Sequence, residues 1–116
     1  MDSLVKGLLV VGLLSLDSLS FATCSLASPS TSAEFCESFK LAAECHCVFS
    51  GLPKGRCTNM GLVYKTMVDT LGPLQRACAY QRYTTTQECV DDWNCYRYGG
   101  LTSDGQLCNG TGHACD

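Results

Sequence analysis

An all-α fold is what this sequence predicts: a small disulfide-rich helical domain of about four short helices, ending in an irregular glycine-rich tail. Three observations predict it. Ten cysteines all lie downstream of an apolar leader. Apolar residues recur at three- and four-residue steps in successive segments, and no alternating run of β-branched residues lasts long enough to suggest a strand. Glycines are then crowded into the last stretch, after Tyr98.

The leader sets the compartment, and the compartment sets the cysteine chemistry. Lys6 precedes an apolar core, Gly7 to Leu16, and Ser20-Phe21-Ala22 places small residues at the positions a signal peptidase inspects. The expectation is a secretory signal over residues 1–22, cleaved before Thr23, and one domain over residues 23–116. Ser25-Leu26-Ala27 is a weaker second site, whose use would remove Cys24 and leave an odd count. The apolar core spans about 15 Å as a helix, about half of a bilayer's hydrocarbon layer, so a membrane span is not expected. In an exported chain of this size, Cys24, Cys36, Cys45, Cys47, Cys57, Cys78, Cys89, Cys95, Cys108 and Cys115 read as a disulfide framework. A small domain buries too little apolar surface to dispense with cross-links. Connectivity is not legible from spacing.

The elements follow in order. Thr23 to Ser32 is small and polar and reads as an arm tied down at Cys24. Thr31 and Glu34 have capping-box spacing and predict the start of a helix, with Phe35, Phe39, Ala42, His46 and Phe49 on its apolar face. Gly51 and Pro53 end it. On that helix Cys36 and Cys47 lie about three turns apart and project alike, whereas Cys45 points nearly opposite. Cys45 and Cys47 should therefore pair with different segments. Thr58 is placed to cap a second helix with the stripe Met60, Val63, Tyr64, Met67, Val68 and Leu71. Gly72-Pro73 breaks it and opens a short third helix at Pro73, carrying Leu74, Ala77 and Cys78. Thr85 and Glu88 repeat the capping box before a fourth helix bearing Cys89, Val90, Trp93 and Tyr96. Beyond it, Asp104-Gly105 and Asn109-Gly110 are turn pairs, and Cys108 and Cys115 pin the tail to the helices.

Charge excludes some functions. The whole chain carries −3, and the leader takes with it one basic and two acidic residues, leaving a mildly acidic domain. Nucleic acid is not an expected partner, because a basic face is needed to displace its counterions. Metal is not expected either. Cys45-His46-Cys47 with Cys57 has suitable ligand types, but lacks the paired Cys-x2–4-Cys spacing and would need reduced thiols. No enzyme and no cofactor are expected. His46 and His113 have no nucleophile and orienting group in view, and neighbouring Asp91 and Asp92 point about 100° apart on a helix. These two acids are expected in the first turn of the last helix, where the macrodipole favours them. Asn109-Gly110-Thr111 is a glycosylation acceptor sequence in an expected surface loop.

Two aromatic and basic groups are candidate binding surface: Trp93, Tyr96, Arg97 and Tyr98, and then Arg82 and Tyr83 (with Tyr80 nearby). Such residues bury area at low entropy cost and keep a polar handle, although Trp93 is expected to fill core. The function expected is therefore that of a secreted, extracellular cysteine-rich protein that binds an unknown extracellular or host protein target, as toxins, effectors and inhibitors do. The alternative is an extracellular carrier of a lipid or other apolar ligand, with Phe35, Phe39, Phe49, Met60, Val63, Met67 and Leu71 available as lining. In size and helix content the chain is similar to elicitins and plant lipid-transfer proteins. It departs from them in having ten cysteines and, unlike the transfer proteins, no adjacent Cys-Cys pair.

Overall fold

The computed structural model describes residues 24–115; the expected leader and its cleavage site lie outside the described residues. Four α-helices carry the domain: α1 (Phe35–Phe49), α2 (Met60–Leu71), α3 (Leu74–Ala79) and α4 (Thr86–Arg97). Single 3-10 turns occupy Lys54–Arg56 and Cys108–Gly110. The described residues contain no strand beyond one isolated antiparallel bridge, between Leu101 and Leu107. None of their helices is long and apolar enough to cross a membrane.

Helix α1 is the central element. Its inward face presents Phe35, Phe39, Ala43 and Cys47 to a core shared with Met60, Val63, Trp93 and Tyr96. Phe39 is the hub, stacked on Phe35 with centroids 5.1 Å apart, edge-on to Trp93 at 4.9 Å and tilted against Tyr96 at 5.6 Å. Such pairs add about 0.5–1.5 kcal/mol each beyond burial. Phe49, expected on that face, is exposed instead: it is the last residue of the helix, two residues beyond the core-facing Cys47.

The caps divide into one that forms as expected and two that do not. At α4, Thr85 Oγ1 accepts from the Glu88 amide at 3.1 Å while Glu88 Oε1 accepts from the Thr85 amide at 3.4 Å. At α1 no side chain caps, and Glu34 is itself the N-cap. Backbone bonds from Ser32 N to Pro29 O and from Phe35 N to Ser32 O take the place of the expected Thr31–Glu34 box, turning the arm back along the domain. At α2 the cap is Asn59, accepting from the Leu62 amide at 3.0 Å, because Thr58 donates to the Gly55 carbonyl. Pro73 sits one position before α3, as its N-cap.

All ten cysteines are paired, as Cys24–Cys45, Cys36–Cys115, Cys47–Cys57, Cys78–Cys89 and Cys95–Cys108. Helix α1 is thus stapled to the N-terminal arm, to the C-terminal tail and to the end of the 3-10 turn that precedes α2, through separate cysteines. Cys45 and Cys47 do serve different segments. Four of the bridges close loops of 10 to 21 residues, and the fifth closes one of 79. Six of the cysteines are themselves core residues, so the sulfurs both cross-link and fill.

The tail is folded back on α4 rather than hanging from it. Cys115 N donates to Tyr96 O, Gly100 N to Gly112 O and Asn109 N to Ser30 O. Gly99 makes the reversal possible. Its φ is +72°, and a Cβ there would lie 2.5 Å from the Gly112 carbonyl oxygen.

Candidate functional site

Two regions of the surface are shaped by these constraints. The first is the hairpin of the tail. Thr102 N donates to Gln106 O, and Cys108 N to Gly100 O, which makes Leu101 and Leu107 a non-hydrogen-bonded antiparallel pair. Residues so paired have their side chains adjacent on one face. Both leucines are exposed, at 61% and 51%, and Tyr98 just upstream is 66% exposed. The turn between them is clipped to α4: Asp91 accepts from the Ser103 amide at 3.0 Å and from its hydroxyl at 2.8 Å. Asp91 and Asp92 therefore lie in the second turn of α4, not the first, and Asp91 is held by the hairpin instead of by the helix end.

The expected binding residues separate. Trp93 and Tyr96 are 3% and 5% exposed and packed on Phe39: Trp93 fills core as expected, and Tyr96 is core instead of surface. The reason is helical phase: they share the α4 face that carries Cys89 inward. Arg97 is half-buried, its guanidinium 3.9 Å from the Tyr64 ring centroid and 5.0 Å from that of Tyr98. Arg82 and Tyr83 lie on the α3–α4 connection, where Arg82 is exposed and Tyr83 stacks on His46 with centroids 3.7 Å apart. The two groups thus rest on different elements. Leu107 was not among the residues singled out in the sequence; the signal for it is its placement opposite Leu101 across the Asp104-Gly105 turn.

Asn109 is not in an open loop. It is 8% exposed with φ +60°, its Nδ2 donates to the His113 carbonyl, and its Oδ1 faces the sulfurs of the Cys36–Cys115 bridge at 3.3 and 3.6 Å. The disulfide sulfurs carry no proton, so these last are contacts and not hydrogen bonds. The side chain is an internal strut of the tail.

The second region is a pair of cavities on either side of the His46–Tyr83 stack. The larger, about 550 Å³, lies between the arm, α1, α4 and the hairpin turn. It gathers Glu88, Asp91, Asp92 and Asp104, with no lysine or arginine in its lining. Three of these carboxylates are engaged: Glu88 by Thr84 and Thr85, Asp91 by Ser103, and Asp104 by Thr102 and Gln106. Asp92 takes no hydrogen bond or ion pair from the described residues. Burial, reinforced by the nearby charges of Glu88 and Asp91, pushes its carboxyl up to about 7. Burial, with Asp92 adding to it, pushes the Tyr83 phenol up to about 12. Burial also lowers His46, whose Nε2 is sealed from solvent without a partner.

The smaller cavity, about 260 Å³, is apolar and opens between α1 and α2, with Val63, Met67, Leu71 and Trp93 in its lining. It exists because the α2 stripe is only half covered: Met60 and Val63 are buried, whereas Met67 and Leu71 are not fully. Of the residues that the carrier alternative offered as lining, Phe35 and Phe39 are core and Phe49 is exposed. Among the described residues no group of three or more His, Cys, Asp or Glu side chains is placed to hold a metal ion. In comparisons with known proteins, no family model, curated protein or solved structure matches this chain.

Proposed function

We propose that this is a secreted, non-enzymatic binding protein that docks the hairpin end of its disulfide framework on an extracellular or host protein. The observation that carries the reading is the exposed Leu101–Leu107 pair on a hairpin held by Cys95–Cys108, Cys36–Cys115 and the Asp91 clip. Adjacent exposed apolar side chains on a fixed backbone lose little conformational freedom on association, so more of the burial free energy survives as affinity. Tyr98, with Arg97 beneath its ring, adds the residue types that dominate hot spots.

The test compares three oxidised proteins of matched thermal stability: wild type, Leu101→Asp, and Leu41→Asp as a control at another exposed leucine. Each is photo-crosslinked to the surface proteins of the cells on which the secreted protein acts. A product formed by wild type and Leu41→Asp, and reduced at least tenfold in Leu101→Asp, supports the hairpin as the docking face. Equal yields in all three, or equal loss in both variants, sink it.

A further inference from the structure

We propose that the 3-10 turn Lys54-Gly55-Arg56 is a processing site for a trypsin-class endopeptidase, whose cut at the Lys54–Gly55 bond makes a two-chain protein without taking the fold apart. This does not rest on the docking role of the hairpin, which is a different surface. Such an enzyme takes a basic side chain into an acidic pocket. It cuts where the chain can leave its native hydrogen bonds at little cost, at exposed loops rather than inside helices. Among the described residues, the basic side chains outside the α-helices are Lys54, Arg56 and Arg82. Lys40, Lys65, Arg76 and Arg97 stand on helices, which would have to unwind first.

The turn is the more open of the two segments. Residues 50–59 separate α1 from α2, and Lys54, Gly55 and Arg56 are all exposed. A Cβ built on Gly55 would meet nothing within 4 Å. The turn is held by two backbone bonds, from Arg56 N to Pro53 O and from Cys57 N to Lys54 O, and by the Thr58 hydroxyl on the Gly55 carbonyl. Cys57 is 1% exposed, so the Arg56–Cys57 bond runs into the core and Lys54–Gly55 is the bond to cut. Arg82 has only residues 80–85 around it, and Tyr83, just past its bond, is stacked on His46. That bond is cut second. The disulfides decide what a cut does. Lys54–Gly55 is spanned by Cys47–Cys57 and Cys36–Cys115, and Arg82–Tyr83 by Cys78–Cys89 and Cys36–Cys115. After both cuts the three chains remain joined in a ring by those bridges. Water adds across each peptide bond to give a carboxylate and an amine, and every disulfide stays oxidised.

The intact oxidised protein is treated with trypsin at a low enzyme ratio, and samples are weighed by mass spectrometry with and without reduction. The expected early product is a single species heavier than the starting protein by one water. On reduction it yields a chain ending at Lys54 and a chain beginning at Gly55, and before reduction its far-ultraviolet circular dichroism matches that of the uncut protein. Lys54→Gln combined with Arg56→Gln changes two exposed side chains that make no hydrogen bond or ion pair with the described residues. This double variant should keep the wild-type urea midpoint and slow the first cut by about tenfold or more, leaving it to the segment at Arg82, which opens less often. A first cut at any other basic residue overturns the proposal. So does a cut at Lys54 that is followed by loss of the helical signal, or an oxidised protein left uncut over the time that destroys the reduced chain.

Discussion

The tail and the cavity face of the same small domain are built on opposite rules. In the tail nearly every polar group has a partner: Asn109 bonds His113, Asp91 bonds Ser103, Thr102 bonds Gln106, and two disulfides close the ends. At the cavity face, among the described residues, Asp92 has no hydrogen-bond or ion-pair partner and His46 Nε2 is buried without one. A segment rich in glycine reaches a single conformation only if covalent and hydrogen-bonded constraints oppose its large chain entropy. The helical body has stability from its core and tolerates unsatisfied groups at its edge. Where a fold leaves such groups unpaired, the surroundings are candidates for ligand recognition.

The comparison is broken most severely by releasing the tail. Replacing Cys36 and Cys115 together with serine opens the 79-residue loop. Chain-entropy arguments give a loss of about 4–5 kcal/mol, against about 3 kcal/mol for the Cys24–Cys45 loop. Denaturant unfolding of the two double variants should show this order. An equal or reversed order would mean that the tail is held chiefly by its hydrogen bonds.

How much of this was legible beforehand follows the same division. Helix α4 announces itself through Thr85 and Glu88, and α2 through its stripe, because caps and periodicity are local properties. The start of α1 does not, because the Thr31–Glu34 spacing competes with a turn that the tethered arm requires. Tyr96 was misread as surface because composition identifies a binding residue type without fixing which face of the helix meets Phe39. The surface loop expected around Asn109 is tighter than its sequence suggests for a related reason. The burial of Asn109 depends on Ser30 and His113 meeting it, a non-local arrangement that the tripeptide does not encode. The cavities were legible only as a surplus of apolar residues, since whether a stripe is covered or left half open is decided by the lengths and tilts of its neighbours.

A smaller break in the tail comes at Gly99. Alanine there must adopt φ +72° and meet backbone atoms of Gly112, His113 and Ala114 at 2.5 to 2.6 Å. Backbone oxygens and nitrogens cannot swing aside as a flexible side chain would. Gly99→Ala should therefore lower stability by about 2–4 kcal/mol. Gly100→Ala, also at positive φ but with nothing within 4 Å of its Cβ, should lower it by about 1 kcal/mol. Thermal unfolding of the pair separates close approach from backbone strain; equal losses would mean that only the strain matters.

At the cavity face the sign reverses. Asp92 keeps its proton in the folded domain up to a pH of about 7, whereas an unfolded chain releases it near its ordinary value of 3.8. Between those values the folded state binds more protons, so this group makes stability fall as pH rises. The full penalty is present above 7 and absent near 4. Glu88 and Asp91 on its own helix face the same carboxylate, as does the Tyr83 phenol from the α3–α4 connection, and Tyr83 stays neutral throughout this range. His46, stacked on Tyr83, has a pKa lowered by burial and so offers little compensating charge near neutral pH. Asp92→Asn removes the penalty without deleting a hydrogen bond. It should stabilise the domain by on the order of 2 kcal/mol at pH 8, allowing for Asp92's partial exposure, with the gain vanishing towards pH 4. Urea midpoints of wild type and variant across that range measure it. A constant difference at all pH values would assign the effect to packing, and no difference would mean that solvent already satisfies Asp92, leaving the cavity face no less balanced than the tail.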